Sequence, residues 1–208
     1  MPTTRAKLEG NLFAIARQQQ GYFTAQQAIK AGYHDSIHPY HVRQGNWSRV
    51  ERGIYRLVKY PGSLDSHYVP WSLWSRNRKG IPQGVFSHVT ALSMYDLSDV
   101  NPAKVHMTVP PGFRRHSKIP KILVLHKGVL SPADTEEREG YRVTRPVRAV
   151  RDLLREDATS TDIVRQALEE GFARGLITRK EIEALTAEFP SEKYLFKGLI
   201  KKGGRLHT

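Results

Sequence analysis

The residues whose type and spacing invite chemistry are basic and aromatic. Ser36, His38, Tyr40, His41 and Arg43 stand within one short stretch, and Arg49, Arg52 and Arg56 follow at intervals of three or four. An arginine fork matches a guanine edge or a phosphate, and hydroxyl and imidazole groups reach base edges or phosphate oxygens. That is the chemistry of polyanion recognition. The constellations of bond-making enzymes are missing. There is no phosphate-binding glycine loop with a following Lys-Ser/Thr, no HExxH or clustered His/carboxylate set, and no Gly-x-Ser-x-Gly elbow. His88 stands without a neighbouring carboxylate, so packing or capping is its expected role. Asp96 and Asp99 flank a helix end, where acids are ordinary loop residues. The expectation is a protein that is not an enzyme and uses no cofactor and no metal. A nuclease with scattered carboxylates is the competing reading.

Positioning these side chains requires two helices and a hairpin. Residues 5–20 carry Leu8, Leu12, Ile15 and Gln19 at helical spacing, and Gly21 closes the helix. Thr24 with Gln27 three residues later is a capping box, with Phe23 and Ala28 at the staple positions, so a short helix AQQAIKA follows up to Gly32. Asp35 or Ser36 caps a third helix through about Gln44, with Pro39 near its first turn and Gly45 at its end. Two β-prone runs, Trp47–Val50 and Ile54–Val58, flank Glu51-Arg52-Gly53, a three-residue hairpin loop ending in glycine. The whole reads as a winged helix-turn-helix. In that geometry the second helix of the pair enters the major groove, with residues near its start as base readers. Ser36, His38, Tyr40, His41 and Arg43 take that part, and Arg49, Arg52 and Arg56 grip phosphate or the minor groove. Two rotations of the recognition helix fit the sequence: His38, His41 and Val42 form one inner face, and Ile37, Tyr40 and His41 another.

Charge points the same way. The chain of 208 residues has a net charge of +13. Residues 1–60 carry 9 Lys/Arg against 3 Asp/Glu, residues 61–130 again 9 against 3, and residues 131–208 carry 15 against 14. The excess sits in the first 130 residues. A one-signed block attracts nucleic acid. No cysteine is present, which removes disulfides and thiolate metal sites. No run of about 18 apolar residues and no signal-peptide core is found, so a cytoplasmic protein without a membrane span is expected.

Downstream, Tyr60-Pro61-Gly62 is a turn, and Leu64 to about Arg78 is helix-prone, with Trp71 and Trp74 read as core. Arg76, Arg78 and Lys79 follow as a basic knot that either touches nucleic acid or a partner or solvates a helix end. Ser87 caps a helix to Leu97. KVHMTV and Lys121–His126 read as strands, Tyr141–Val143 as a third, and Arg114, Arg115 and Lys118 lie on a basic loop between the first two. Pro146 starts a helix, Ser160 or its neighbours cap another, and Thr178 with Glu181 is a second capping box. Pro190 ends regular structure. The expected fold class is α+β: a winged helix-turn-helix over 5–60, a mixed α/β domain with a small sheet and terminal helices over 61–190, and a basic tail over 191–208.

The order GYFTAQQAIKAGY, a short capped helix, then GNWSRVERGIYRL resembles the N-terminal winged helix of the AbiEi antitoxins of bacterial abortive-infection (type IV) toxin–antitoxin systems. FSHVTALSMYDLSDVNPAKVHMTVP, YRVTRPVRAVRDLL and ALEEGFARGLI resemble that family's later segments, so the likeness runs from about residue 10 to 188. The resemblance implies a repressor that binds inverted repeats in its own promoter and an antitoxin that counters a cognate nucleotidyltransferase-like toxin without a stable complex. It thereby implies a part in phage defence. The alternative is a protein-interaction module with the winged helix as scaffold.

Overall fold

The computed structural model describes residues 4–115, 118–156 and 160–199. These divide into two compact units, 1–84 with 137–142, and 85–136 with 143–208. The expected boundary near 60 therefore falls inside the first unit, which continues through the helix after the wing.

In the first unit α1 (Thr4–Arg17) leads into β1 (Tyr22–Thr24), α2 (Ala25–Lys30), a 3-10 turn at Asp35–Ile37, α3 (His38–Arg43), the hairpin β2 (Trp47–Glu51) and β3 (Ile54–Leu57), a 3-10 turn at Leu64–Tyr68, and α4 (Val69–Trp74). Gly21 (φ +87°) ends the first helical segment. Its N–H donates to the Ala16 carbonyl at 2.8 Å. The Thr24–Gln27 capping box is made as expected: the Gln27 N–H reaches Thr24 Oγ1 at 3.2 Å, and the Thr24 N–H reaches Gln27 Oε1 at 2.8 Å.

The sheet order is β1-β3-β2, antiparallel throughout. β1, three residues long, is too short to show a sequence period and joins the wing at Tyr22↔Arg56 and Thr24↔Ile54. The Ala25 N–H, at the start of α2, donates to the carbonyl of Gly53 at 3.0 Å and pins the hairpin turn there. Gly53 takes the left-handed conformation (φ +71°), and because Glu51 pairs with Ile54 the connection is the two residues Arg52 and Gly53, not the expected three, with a β-bulge between Arg49 and Glu51. Leu12, Ala16, Phe23, Ala28, Ala31, Tyr33 and Trp47 form the core, with Leu8, Ile15, Val42, Tyr55 and Leu57 packed against it. Each such large side chain contributes about 1.5–3 kcal/mol by leaving water.

In the second unit β4 (Val85–Phe86), α5 (His88–Met94), β5 (Val105–Val109), β6 (Leu123–Lys127), β7 (Thr135–Arg138) and β8 (Tyr141–Thr144) build a five-stranded sheet of order β6-β5-β4-β8-β7. Residues 137–142, between the bodies of β7 and β8, count with the first unit. β5 runs antiparallel to β4 and parallel to β6, and β4 runs parallel to β8. The mixed sheet is the expected one, enlarged by β4 and β7, which are two and four residues long. α6 (Pro146–Glu156), α7 (Thr161–Ala173) and α8 (Arg179–Glu188) follow. The Thr178–Glu181 capping box opens α8. Regular structure does not stop at Pro190: a 3-10 segment, Pro190–Phe196, buries Leu195 and Phe196. Lys201, Lys202 and Arg205 of the expected basic tail lie outside the described residues, as do Ser117 and Thr159. No described helix is long and apolar enough to cross a membrane.

Candidate nucleic-acid interface

The rotation of α3 is settled by aromatic packing. His38 is 3% exposed, its ring 5.3 Å from that of Trp47 and 5.8 Å from that of Tyr55. His41 lies flat on Trp47, centroids 4.6 Å apart and planes at 16°, and meets Tyr33 edge-on at 5.1 Å. Val42 packs on the same core. The inner face is thus His38, His41 and Val42. Four residues and then three carry the helix path from Ser36 to Tyr40 to Arg43, so these three share the outer face. All three are exposed. The segment also begins differently from expectation. His34 caps the 3-10 turn, its Nδ1 accepting from the Ser36 N–H at 3.4 Å, and α3 starts after Ile37 with no side-chain cap.

Two of the expected base readers are therefore corrected. His38 is core and cannot reach a groove while Trp47 and Tyr55 cover it. His41 is half-buried under Tyr33 and against Trp47, with its Nδ1 3.4 Å from Asn46 Nδ2, and only its edge is available. Burial pushes the His38 imidazole below its ordinary pKa, partly offset by a hydrogen bond to the Tyr33 backbone and by Asp35. Burial, followed by Arg5, lowers His41 in the same way.

The wing arginines divide. Arg49 and Arg52 are exposed, and among the described residues no carboxylate pairs with them or with Arg43. Arg56 has a different task. Its Nη2 donates to the carbonyls of Tyr60 at 2.8 Å and Pro61 at 3.0 Å, and its guanidinium lies over the Tyr22 ring at 5.5 Å. It clamps the Tyr60-Pro61-Gly62 turn and is not free for phosphate in this arrangement. Arg76 donates through Nη1 to the Leu73 carbonyl at 2.7 Å, closing the end of α4, and its other terminal nitrogen lies beside the Gly53 turn. Arg78 and Lys79 are exposed next to it. Arg114 and Lys118, in the second unit, are exposed, whereas Arg115 is half-buried and burial lowers its pKa. The winged helix therefore exposes Ser36, Tyr40 and Arg43 on one face of its helix and Arg49 and Arg52 on its hairpin, with Arg78 and Lys79 adding to the same unit's charge.

A second constellation lies in the other unit. By sequence His88 stands alone; in the fold it does not. His88 opens α5, His126 sits on β6 and Glu156 ends α6. His88 Nε2 is 3.2 Å and His126 Nδ1 2.6 Å from Glu156 Oε1. The two imidazoles stack at 3.6 Å, and His126 Nε2 lies 3.0 Å from His106 Nδ1 on β5. His88 Nδ1 is 2.9 Å from Ser87 Oγ, which also accepts from the Thr108 hydroxyl at 2.8 Å. Ser87 thus bonds the imidazole and a strand rather than capping its helix. Burial, then the neighbouring His126, pushes the His88 imidazole down to about 4, against the pull of Glu156. His88 holds a left-handed backbone (φ +55°), a conformation that costs about 1–3 kcal/mol in a residue with a side chain. Separations of 18 to 68 residues leave no local spacing by which the sequence could announce this group.

Comparison with known proteins bears on both units. No curated protein matches the chain. The crystal structure of the RV2827C protein from Mycobacterium tuberculosis is similar over 95% of this chain and 78% of that one, at a TM-score of 0.58 and 14% identity, a likeness of fold alone. Residues 12–58, from within α1 to the end of the wing, match the family model of the AbiEi antitoxin transcriptional regulators, a likeness that covers the winged helix.

Proposed function

We propose that the chain is a cytoplasmic transcriptional autorepressor and antitoxin of a type IV, abortive-infection toxin–antitoxin system, acting by binding and not by catalysis. The observation that carries the DNA half is the outer face of α3 and the wing: Ser36, Tyr40 and Arg43 exposed on one helical face, with Arg49 and Arg52 exposed on the hairpin and free of carboxylate partners among the described residues. α3 lies in the major groove and Arg43 reads a base edge or holds a phosphate, while the hairpin arginines set register on the backbone. Inverted repeats in the chain's own promoter are the operator, because two copies of one module read a two-fold site. The antitoxin half rests on the family match of the winged helix. The region after the wing counters a nucleotidyltransferase-like toxin encoded beside it.

The test is fluorescence anisotropy with the DNA upstream of the chain's own operon against a scrambled duplex, from low to moderate salt. Sequence-preferring binding that weakens log-linearly with salt is expected. Equal affinity for both duplexes would sink the operator reading and leave the winged helix as an interaction scaffold. Growth rescue on co-expression with the neighbouring toxin tests the antitoxin half separately.

A further inference from the structure

We propose that His88, His126 and Glu156 bind a divalent transition-metal ion of the Zn²⁺ class through His88 Nε2, His126 Nδ1 and a Glu156 carboxylate oxygen. These three donor atoms all lie within 4.8 Å of one another. They come from three different elements, α5, β6 and α6. Donors on a zinc shell, about 2.0–2.2 Å from the ion, stand roughly 3–3.5 Å apart. The 3.2 Å contact to His88 already matches, and the 2.6 Å contact to His126 opens to that spacing by a small withdrawal of Glu156. Glu156 can make it, since its side chain is 41% exposed at the end of its helix. The same exposure gives an ion its way in.

The supporting residues are those that a metal site needs. A ligating imidazole is held by an acceptor on its other nitrogen, which fixes the tautomer and aims the lone pair. Ser87 Oγ takes that place for His88 at 2.9 Å, with Thr108 behind it, and His106 Nδ1 takes it for His126 at 3.0 Å. In that tautomer two imidazole lone pairs and a carboxylate oxygen border one space, and a bound ion turns the two rings, stacked 3.6 Å apart and 17° from parallel without it, until their planes meet at the ion. The left-handed backbone at His88 (φ +55°) is the second mark of a built site, because the surroundings hold the residue in a conformation its side chain disfavours. Imidazole with one carboxylate and no thiolate suits Zn²⁺, Co²⁺ or Ni²⁺ over Mg²⁺ or Ca²⁺.

The experiment uses the untagged full chain, stripped with EDTA and titrated with Zn²⁺ against a chromogenic chelator, with Co²⁺ added separately for its visible spectrum. One ion per chain is expected, with a Co²⁺ spectrum of nitrogen and oxygen ligation and a melting temperature that rises with Zn²⁺. Glu156→Gln and His126→Asn should each weaken Zn²⁺ binding by at least about 10-fold, and His106→Gln by about 10-fold through His126. Glu156→Gln, at a half-exposed site, should retain the metal-free melting temperature, which separates lost ligation from lost folding. A wild-type affinity equal to that of Glu156→Gln, or no rise in melting temperature, would overturn the site and leave the cluster a metal-free network in which Glu156 accepts from both imidazoles.

Discussion

The His41 imidazole lies on the face of Trp47, 4.6 Å between centroids and 16° from parallel. This contact joins the recognition helix to the first strand of the wing. Together with His38 against the same indole and Tyr55, it turns α3 so that Tyr40 and Arg43 face outward. Aromatic pairs of this kind contribute about 0.5–1.5 kcal/mol each beyond burial. The stack therefore orients the side chains that the proposed function uses, without any of its own members reaching DNA head-on.

Substitutions on the two faces of α3 should separate cleanly. Arg43→Ala should leave urea stability within about 0.5 kcal/mol of the parent. It should cost about 1–3 kcal/mol at one operator position if Arg43 reads a base, or lower the salt slope by about 1 if it holds a phosphate. Arg49→Ala and Arg52→Ala should weaken binding evenly across sequences. Arg56→Ala should act through stability, because its guanidinium holds the Tyr60 and Pro61 carbonyls. Anisotropy and urea melts on the four variants test this, and a stable Arg56→Ala with selectively lost DNA binding would refute the clamp.

Acid should loosen the first unit. His38 and His41 both have pKa values lowered in the fold, chiefly by burial. Above about pH 6.5 both are neutral whether the chain is folded or not, and nothing is lost. As pH falls from there toward the lower folded values, the unfolded chain takes up protons that the folded one refuses. Stability drops by up to about 1.4 kcal/mol per pH unit for each group, and the loss stops below the folded pKa. His38→Phe should flatten the slope of stability below about pH 6.5. An unchanged slope would show that His38 does not carry it.

Gly21 is required by a close approach. At φ +87° an added Cβ would stand 2.6 Å from Tyr60 Cγ. Gly21→Ala should destabilise by at least about 2 kcal/mol, combining left-handed strain with overpacking. Tyr60→Ala in the same chain should recover the packing part alone, a difference that a double-mutant cycle measures.

Arg148 carries the buried charge balance of the second unit. It reaches Asp152 at 2.8 Å and Asp134 at 3.1 Å, all three mostly out of water. Burial raises the Asp152 carboxyl, with Arg148 pulling against it. Asp134 is held low in spite of burial by the Ser131 N–H and hydroxyl and by Arg148. Arg148→Met should cost about 3–5 kcal/mol by leaving these carboxylates without a cation. Adding Asp152→Leu should return part of it, read from the urea midpoint.

What could be read from the chain alone was local. Thr24 with Gln27, Thr178 with Glu181, and the glycine closing the Arg52-Gly53 turn each act on neighbours three residues away or fewer. Their physics is complete in the written order of residues, and so the two helix starts and the hairpin stood in the sequence. The basic excess of the first 130 residues was equally a property of composition. Other features waited on the fold. The rotation of α3 depends on Trp47 and Tyr55, which sit on other elements. Arg56 became a turn clamp because its strand ends beside the carbonyls of Tyr60 and Pro61. β1 and β4 are too short to show a period and exist through their partners. His88, His106, His126 and Glu156 meet because a parallel strand pair and two helices bring four distant segments to one place. Interactions between near neighbours are encoded by spacing, whereas those across the chain are encoded only by packing, and packing is what the tertiary structure decides.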